Sequence, residues 1–154
     1  MSPKDESEFL WLDDIRPGMR IALPDTDCAA ARVEAYAEMF DAKHPIHVDE
    51  AFAKTTKFGT RIAHGPLPMA ASLATLGEIF GTALIVMTRV GSWDFYGAVP
   101  AGASVPTEAF VIGITRGGGG RTAEVTLEMR LTDASGALLQ RGEVGLLLRA
   151  RPKD

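Results

Sequence analysis

All three histidines of the chain, His44, His47 and His64, fall in the run FDAKHPIHVDEAFAKTTKFGTRIAHG, between Phe40 and Gly65. Imidazole is the side chain whose ordinary ionisation lies nearest neutral pH, so such a cluster is a candidate for proton transfer. Asp41 stands just upstream of them in the same stretch. Pro45 stiffens the turn between them, and His64-Gly65-Pro66 opens a nearly wholly apolar segment. His44 and His47 also have a spacing that suggests a metal. Two imidazoles without a third carboxylate or cysteine make a weak site, so no metal and no cofactor are expected. If the chain is an enzyme, its site is here.

The elements that must position these residues are legible in the pattern. Val33, Tyr36, Ala37 and Phe40 recur at helical spacing, which predicts an amphipathic helix over residues 28–40, capped by Thr26 or Asp27. It must stop before Pro45, because the residue ahead of a proline is pushed out of the α region. Residues 41–47 are therefore expected as a loop, with Asp49 capping a short helix over 50–54. Residues 66–80 carry only Ser72, Thr75 and Glu78 as polar side chains. A helix apolar nearly all round has to be buried nearly all round, and fifteen residues span roughly 22 Å, too short for a bilayer. A sheet wrapped around it supplies that burial.

The strands come from the rest. Residues 19–23 end at Pro24 as a first strand. Residues 121–132 alternate, with Ala123, Val125, Leu127, Met129 and Leu131 on one face and polar residues on the other. Strands are also predicted over 83–96, 104–115 and 138–149, with Gly117 to Gly120 as a hairpin tip and residues 133–136 as the next turn. The four later strands are expected to follow one another as a meander. The class is α+β: one antiparallel sheet around a long central apolar helix. Residues 1–8 are expected to be disordered and residues 9–151 to form one domain.

The 154 residues carry a net charge of −4 and a single cysteine, Cys28. An acidic balance argues against a sequence-blind nucleic-acid binder. One cysteine excludes an internal disulfide and suits a reducing, cytoplasmic setting, with Cys28 itself a small core hydrophobe. The start MSPKDESEFL lacks the apolar core of a signal peptide, and no apolar run reaches a membrane span, so no membrane partner is expected.

Four stretches resemble the MaoC-like hydratase/dehydratase family, the (R)-specific enoyl-CoA hydratases and their relatives: LDDIRPGM, AYAEMFDAKHPIHVDEAFA, RIAHGPL and DFYGAVPAGASV. The resemblance covers nearly the whole chain, and the middle two stretches are the specific ones. It implies a hot-dog fold, the sheet being the bun and the helix the filling. In the family's D-x-N-P-x-H pattern Pro45 and His47 match the Pro and His, and His64-Gly65 matches the His-Gly that begins the helix. His44 stands where the family has Asn or Gln, and Ala42 stands where it has the catalytic Asp. A one-residue insertion would leave Asp41 as the equivalent acid. Alternatively the acid is lost, and His44 or a water takes its place.

What the resemblance implies is hydration of an enoyl thioester, or dehydration of the β-hydroxyacyl form, with CoA or a carrier protein as the thiol. Asp41 and His47 would hold and activate the water, and Gly65 would lend an amide to the developing enolate oxygen. His44, His64 and Pro66 would contact substrate, although His64 also suits a residue that orders the helix entry. Asp94, between Trp93 and Phe95, reads as strand patterning beside the substrate channel. Lys54, Lys57 and Arg61 could meet a CoA phosphate, with a solvated loop as the plainer reading. A homodimer is expected, as in other hot-dog proteins. The alternatives are a hot-dog thioesterase, a dehydratase re-tasked to a non-fatty substrate, or a non-catalytic acyl-thioester-binding subunit.

Overall fold

The alternating and helical patterns above become eleven elements in the computed structural model, which describes residues 5–153. Arg20–Ala22 (β1) and Thr26–Cys28 (β2) precede the helices Ala30–Met39 (α1), Pro45–Val48 (α2), Glu50–Lys54 (α3) and Pro66–Phe80 (α4). Leu84–Phe95 (β3), Ala103–Val105 (β4), Thr107–Arg116 (β5), Thr122–Thr132 (β6) and Leu138–Arg149 (β7) follow. Of the stretch expected to lack structure, residues 6–8 take a single 3-10 turn, and Trp11 Nε1 donates to the Glu6 carbonyl at 3.1 Å. Residues 1–4 and 154 lie outside the described residues.

Five strands form one antiparallel sheet in the order β1-β5-β6-β7-β3. The expected four-strand meander is corrected at its first member. Strands β5, β6 and β7 are joined by hairpins, but β1 occupies the other side of β5, pairing Ile21 with Ala109. The open edge is therefore that of β7, and β3 takes it, pairing Val90 with Val144. The strand expected over 104–115 is also divided. Pro106 offers no N–H to a ladder, so β4 turns away to pair with β2, opposing Ala103 to Cys28, while β5 begins at Thr107.

The inward residues of β6, Ala123, Val125, Leu127 and Met129, pack with Val111, Val144, Leu146 and Leu148 of the neighbouring strands and with Leu76 and Phe80 of α4. Burial of apolar area of this kind is the dominant stabilising term. The sheet wraps α4 as the hot-dog arrangement requires. Two expectations about α4 fail in an instructive way. Ser72 lies on the buried stripe with Pro68, Leu76 and Phe80 rather than on an outward polar one, because its hydroxyl bonds back to the Met69 carbonyl at 2.8 Å and so carries no unpaired polar atom inside. Burial is also one-sided, since Ala70, Ala74 and Gly77 face outward.

Along the open edge, β3 leaves Ile85, Val86, Met87 and Val90 exposed. Further along the same strand Trp93 is paired with Gly142 of β7, and its indole fills the space a side chain at 142 would occupy; a methyl group added there would land inside the ring. None of the helices, among the described residues, is long and apolar enough to cross a membrane.

Candidate active site

The segment holding the histidines starts where α1 ends, and the way it ends decides where the acid goes. Phe40 caps the helix, and Asp41 follows in the left-handed conformation at φ 51. The Ala42 amide reaches back to the Ala37 carbonyl at 2.9 Å and the Asp41 amide to Glu38 at 3.4 Å. These two bonds make a Schellman motif, in which the residue past the cap is usually glycine because L side chains are strained there. Asp41 fills that position, which turns its side chain outward. Its carboxylate is 92% exposed, with Lys43 Nζ at 3.9 Å.

Past this turn α1 started later than the 28–40 pattern suggested. Asp27 does not cap it at the expected place but accepts the Ala29 amide at 2.9 Å, one residue ahead of the helix. The loop expected over 41–47 contains the one-turn helix α2, begun by Pro45 at its first position, where a missing N–H costs nothing. His44 caps it: Nδ1 accepts the Ile46 amide at 3.2 Å, the service an Asn side chain performs at a helix start. Asp49 then caps α3, accepting from Phe52 at 3.0 Å as predicted.

His47, on α2, is turned by Ile62. Its Nδ1 lies 2.7 Å from the Ile62 carbonyl oxygen, and because a carbonyl only accepts, Nδ1 carries the proton and Nε2 keeps its lone pair. His64 stacks on it with ring centroids 3.8 Å apart, and Tyr36 backs His64 at 4.6 Å. His64 is buried, 6% exposed, and donates from Nε2 to the Ala42 carbonyl at 2.8 Å. Thus Ala42, standing where the family has its acid, contributes a backbone oxygen that fixes a histidine. Burial pushes the His47 imidazolium below its ordinary 6.5, opposed by the Ile62 bond and reinforced by repulsion from His64 and His44. The ring is held neutral with a free basic nitrogen.

A cavity of about 360 Å³ lies beside it, with His47, Gly65 and Gln140 as polar wall, Phe58, Ile62, Phe95 and Val99 as apolar wall, and the exposed Lys57 and Tyr96 also lining it. Of the expected site residues the structure therefore brings together His47 and Gly65. Asp41, His44, His64 and Pro66 are not among the lining residues: the first ends a helix, the second begins one, the third orders His47, and Pro66 is an exposed first residue of α4. Asp94 is exposed and takes a 3.4 Å bond from the Tyr96 hydroxyl instead of lining the cavity. Arg61 is tied to Glu34 at 3.2 Å and to Glu50 at 3.5 Å. Lys57 lies over Phe58, 5.2 Å from the ring centre. No group of three His, Cys, Asp or Glu side chains that could hold a metal occurs among the described residues.

Gln140 is the residue that pattern reading passed over. It belongs to the inward row of β7, Gln140, Gly142, Val144, Leu146 and Leu148, in which every other member is apolar or glycine. A buried amide in such a row was the available signal, since interior polar groups persist where they are bonded.

The MaoC like domain family matches residues 15–133. Over 111 residues, 71% of the chain and 75% of the relative, the sequence is 31% identical to the (R)-specific enoyl-CoA hydratase of Rhodospirillum rubrum. Over 72 residues it is 36% identical to the 3-hydroxybutyryl-CoA dehydratase of Methylorubrum extorquens; that match takes in 47% of this chain and spans 45% of the relative's length. The crystal structure of the MaoC-like dehydratase from Rhodospirillum rubrum superposes with a TM-score of 0.77 at 25% identity, covering 94% of this chain and 99% of that one.

Proposed function

The chain belongs to the MaoC-like domain family, and on that premise we propose that it is a lyase that adds water to an enoyl thioester or removes it from the 3-hydroxyacyl form, acyl-CoA being the substrate class its relatives' names carry. The observation that carries this reading is one cavity with an imidazole, His47, and a helix-start residue, Gly65, on its wall. In the dehydrating direction His47 Nε2 takes the proton from Cα. Negative charge moves onto the thioester oxygen, where the Gly65 N–H and the positive end of α4 stabilise it. The imidazolium then protonates the β-hydroxyl, the C–O bond breaks, water leaves, and His47 is neutral again. One imidazole serves both transfers, so both groups lie on the same side of the forming double bond. Hydration is the reverse.

This scheme assigns Asp41 no proton. The exposed carboxylate favours loss of the acid over its displacement by one residue, the second of the two possibilities the sequence left open. The same observation favours a second reading, a subunit that binds acyl thioesters without turning them over.

The partners follow from the surface. The apolar open edge of β3 presents unpaired backbone N–H and C=O groups, a template for another strand, and Phe95 at its end also walls the cavity. A second copy pairing there would form a homodimer with its sites near the interface. The one cysteine, fully buried, suits a reducing cytoplasm.

Purified protein mixed with crotonyl-CoA, followed by loss of the conjugated thioester's absorbance, is the test. Wild-type turnover with a loss of ~10²–10⁴-fold in His47→Ala is expected. Release of free thiol would mean thioesterase chemistry. Saturable binding without turnover would support the binding subunit, and no activity in the wild type would end the lyase reading.

A further inference from the structure

The start of α4 is unusually short of donors. A helix leaves its first four N–H groups without intrahelical partners, here those of residues 65–68. Pro66 and Pro68 have no N–H, and the Leu67 amide is taken by the His64 carbonyl at 2.9 Å. Gly65 remains as the donor at this end of the helix. A lone donor stabilises developing charge only if it is already aimed when charge appears, and glycine is the residue whose backbone is least restrained by its own side chain.

Gln140 supplies that restraint from the sheet. Its Nε2 donates to the Gly65 carbonyl at 3.0 Å. Its Oε1 accepts from Trp93 Nε1 at 3.1 Å. The indole N–H only donates and the carbonyl only accepts, so the amide has one orientation. Gln140 is 1% exposed, and burying a primary amide costs free energy that bonds at both ends offset. The resulting chain, Trp93 to Gln140 to Gly65, runs from the outermost strand through β7 to the helix start beside His47.

We propose that Gln140 is a positioning residue for the reaction described above: it grips the Gly65 carbonyl so that the Gly65 N–H meets the thioester oxygen, and Trp93 holds the Gln140 amide in the orientation that makes this possible. The inference rests on the lyase reading, and its test separates the two. Gln140→Leu keeps the size and removes the grip. If positioning is the role, kcat falls ~10–100-fold with KM within about twofold, because only transition-state stabilisation is lost. Gln140→Glu can donate to Gly65 only while protonated, so its pH profile gains an alkaline fall-off that the wild type lacks. A residue that merely holds the fold together would lower the melting temperature without that signature.

Full kcat in a folded Gln140→Leu variant, or a Gln140→Glu profile that superposes on the wild type, overturns the proposal. If Gln140→Leu fails to fold, Trp93→Phe carries the kinetic test, since it frees the amide to rotate; an unchanged kcat there overturns the proposal equally. If the wild type does not turn over crotonyl-CoA, the lyase reading fails first. Butyryl-CoA, which has no double bond to hydrate, then serves as probe in two-dimensional NMR. A shift of the Gly65 amide resonance on binding, lost in Gln140→Glu at alkaline pH, supports the positioning role; an unmoved resonance, or an equal shift in both proteins, refutes it.

Discussion

Asp41→Gly distinguishes an acid from a helix terminator more sharply than any conservative change. In the native chain residue 41 holds φ 51, a conformation that costs an L-residue about 1–2 kcal/mol, with aspartate at the low end. Glycine removes that cost but loosens the unfolded chain by about 0.4–1 kcal/mol. The ion pair with Lys43 is long and exposed, so solvent screens it and it carries little weight. The two backbone terms nearly cancel, leaving a net change of about 0–0.6 kcal/mol in favour of the variant and a melting temperature raised by at most about 2 °C for a chain of this length. Because the carboxylate does not reach the cavity, kcat/KM for crotonyl-CoA should stay within about twofold, whereas removing a group that transfers a proton costs ~10²–10⁴-fold. The assay is the conjugated-thioester absorbance, read beside a thermal melt and beside His47→Ala as the scale of a true loss. A folded Asp41→Gly protein that is a hundredfold slower would refute the reasoning, and would mean that the turn after α1 rearranges to bring the carboxylate to the substrate.

Further outcomes follow from the same geometry. His47 has its ionisation lowered by burial, so the folded protein binds its proton less readily than the unfolded chain; the acid limb of kcat/KM should be centred below pH 6.5, and the imidazole's contribution to stability, present above that pH, should drain away as the pH drops through the folded value. An acid limb centred at or above pH 6.5 contradicts this. Leu76→Ala removes a fully buried side chain of α4 and should cost about 2–5 kcal/mol in urea unfolding; a loss under about 1 kcal/mol would mean that the helix is not the centre of the core. Val90→Glu sets a charge in the apolar open edge of β3 and should convert a dimer to a monomer in sedimentation velocity, a dimer of unchanged stability arguing for another interface. The Cys28 thiol, pushed by burial to about 11, should resist a disulfide reagent at mildly alkaline pH until the protein is denatured.

Periodicity revealed the sheet and the central helix because burial on one face forces it. Residues 123, 125, 127, 129 and 131 alternate inward as read, and α4 begins and ends at the predicted residues, Pro66 and Phe80. What periodicity cannot show is which strand edge is vacant. The place of β3 depends on β1 having taken the side of β5, a long-range fact absent from any local window. His47 and Gly65, picked out by the family resemblance around Pro45 and Pro66, both line the cavity. The outward place of Asp41 was not legible because a carboxylate just past a helix looks the same in sequence whether it serves chemistry or a left-handed turn, and the Ala37 to Ala42 bond that shapes the turn is backbone. His44 and His64 likewise have imidazoles spent on the chain itself, one on the Ile46 amide and one on the Ala42 carbonyl.

Gly142, under the indole of Trp93, has a reach that its bareness conceals. It has no side chain, is not among the residues lining the cavity and sits within a strand, yet anything larger there would lift the indole and with it the group to which the Gln140 oxygen is bonded. Laboratory selection on turnover would score this position among the most intolerant in the protein, and a designer grafting new specificity onto the cavity would inherit that intolerance. The apparent freedom of the outermost strand to vary is bounded by an atom that is not there.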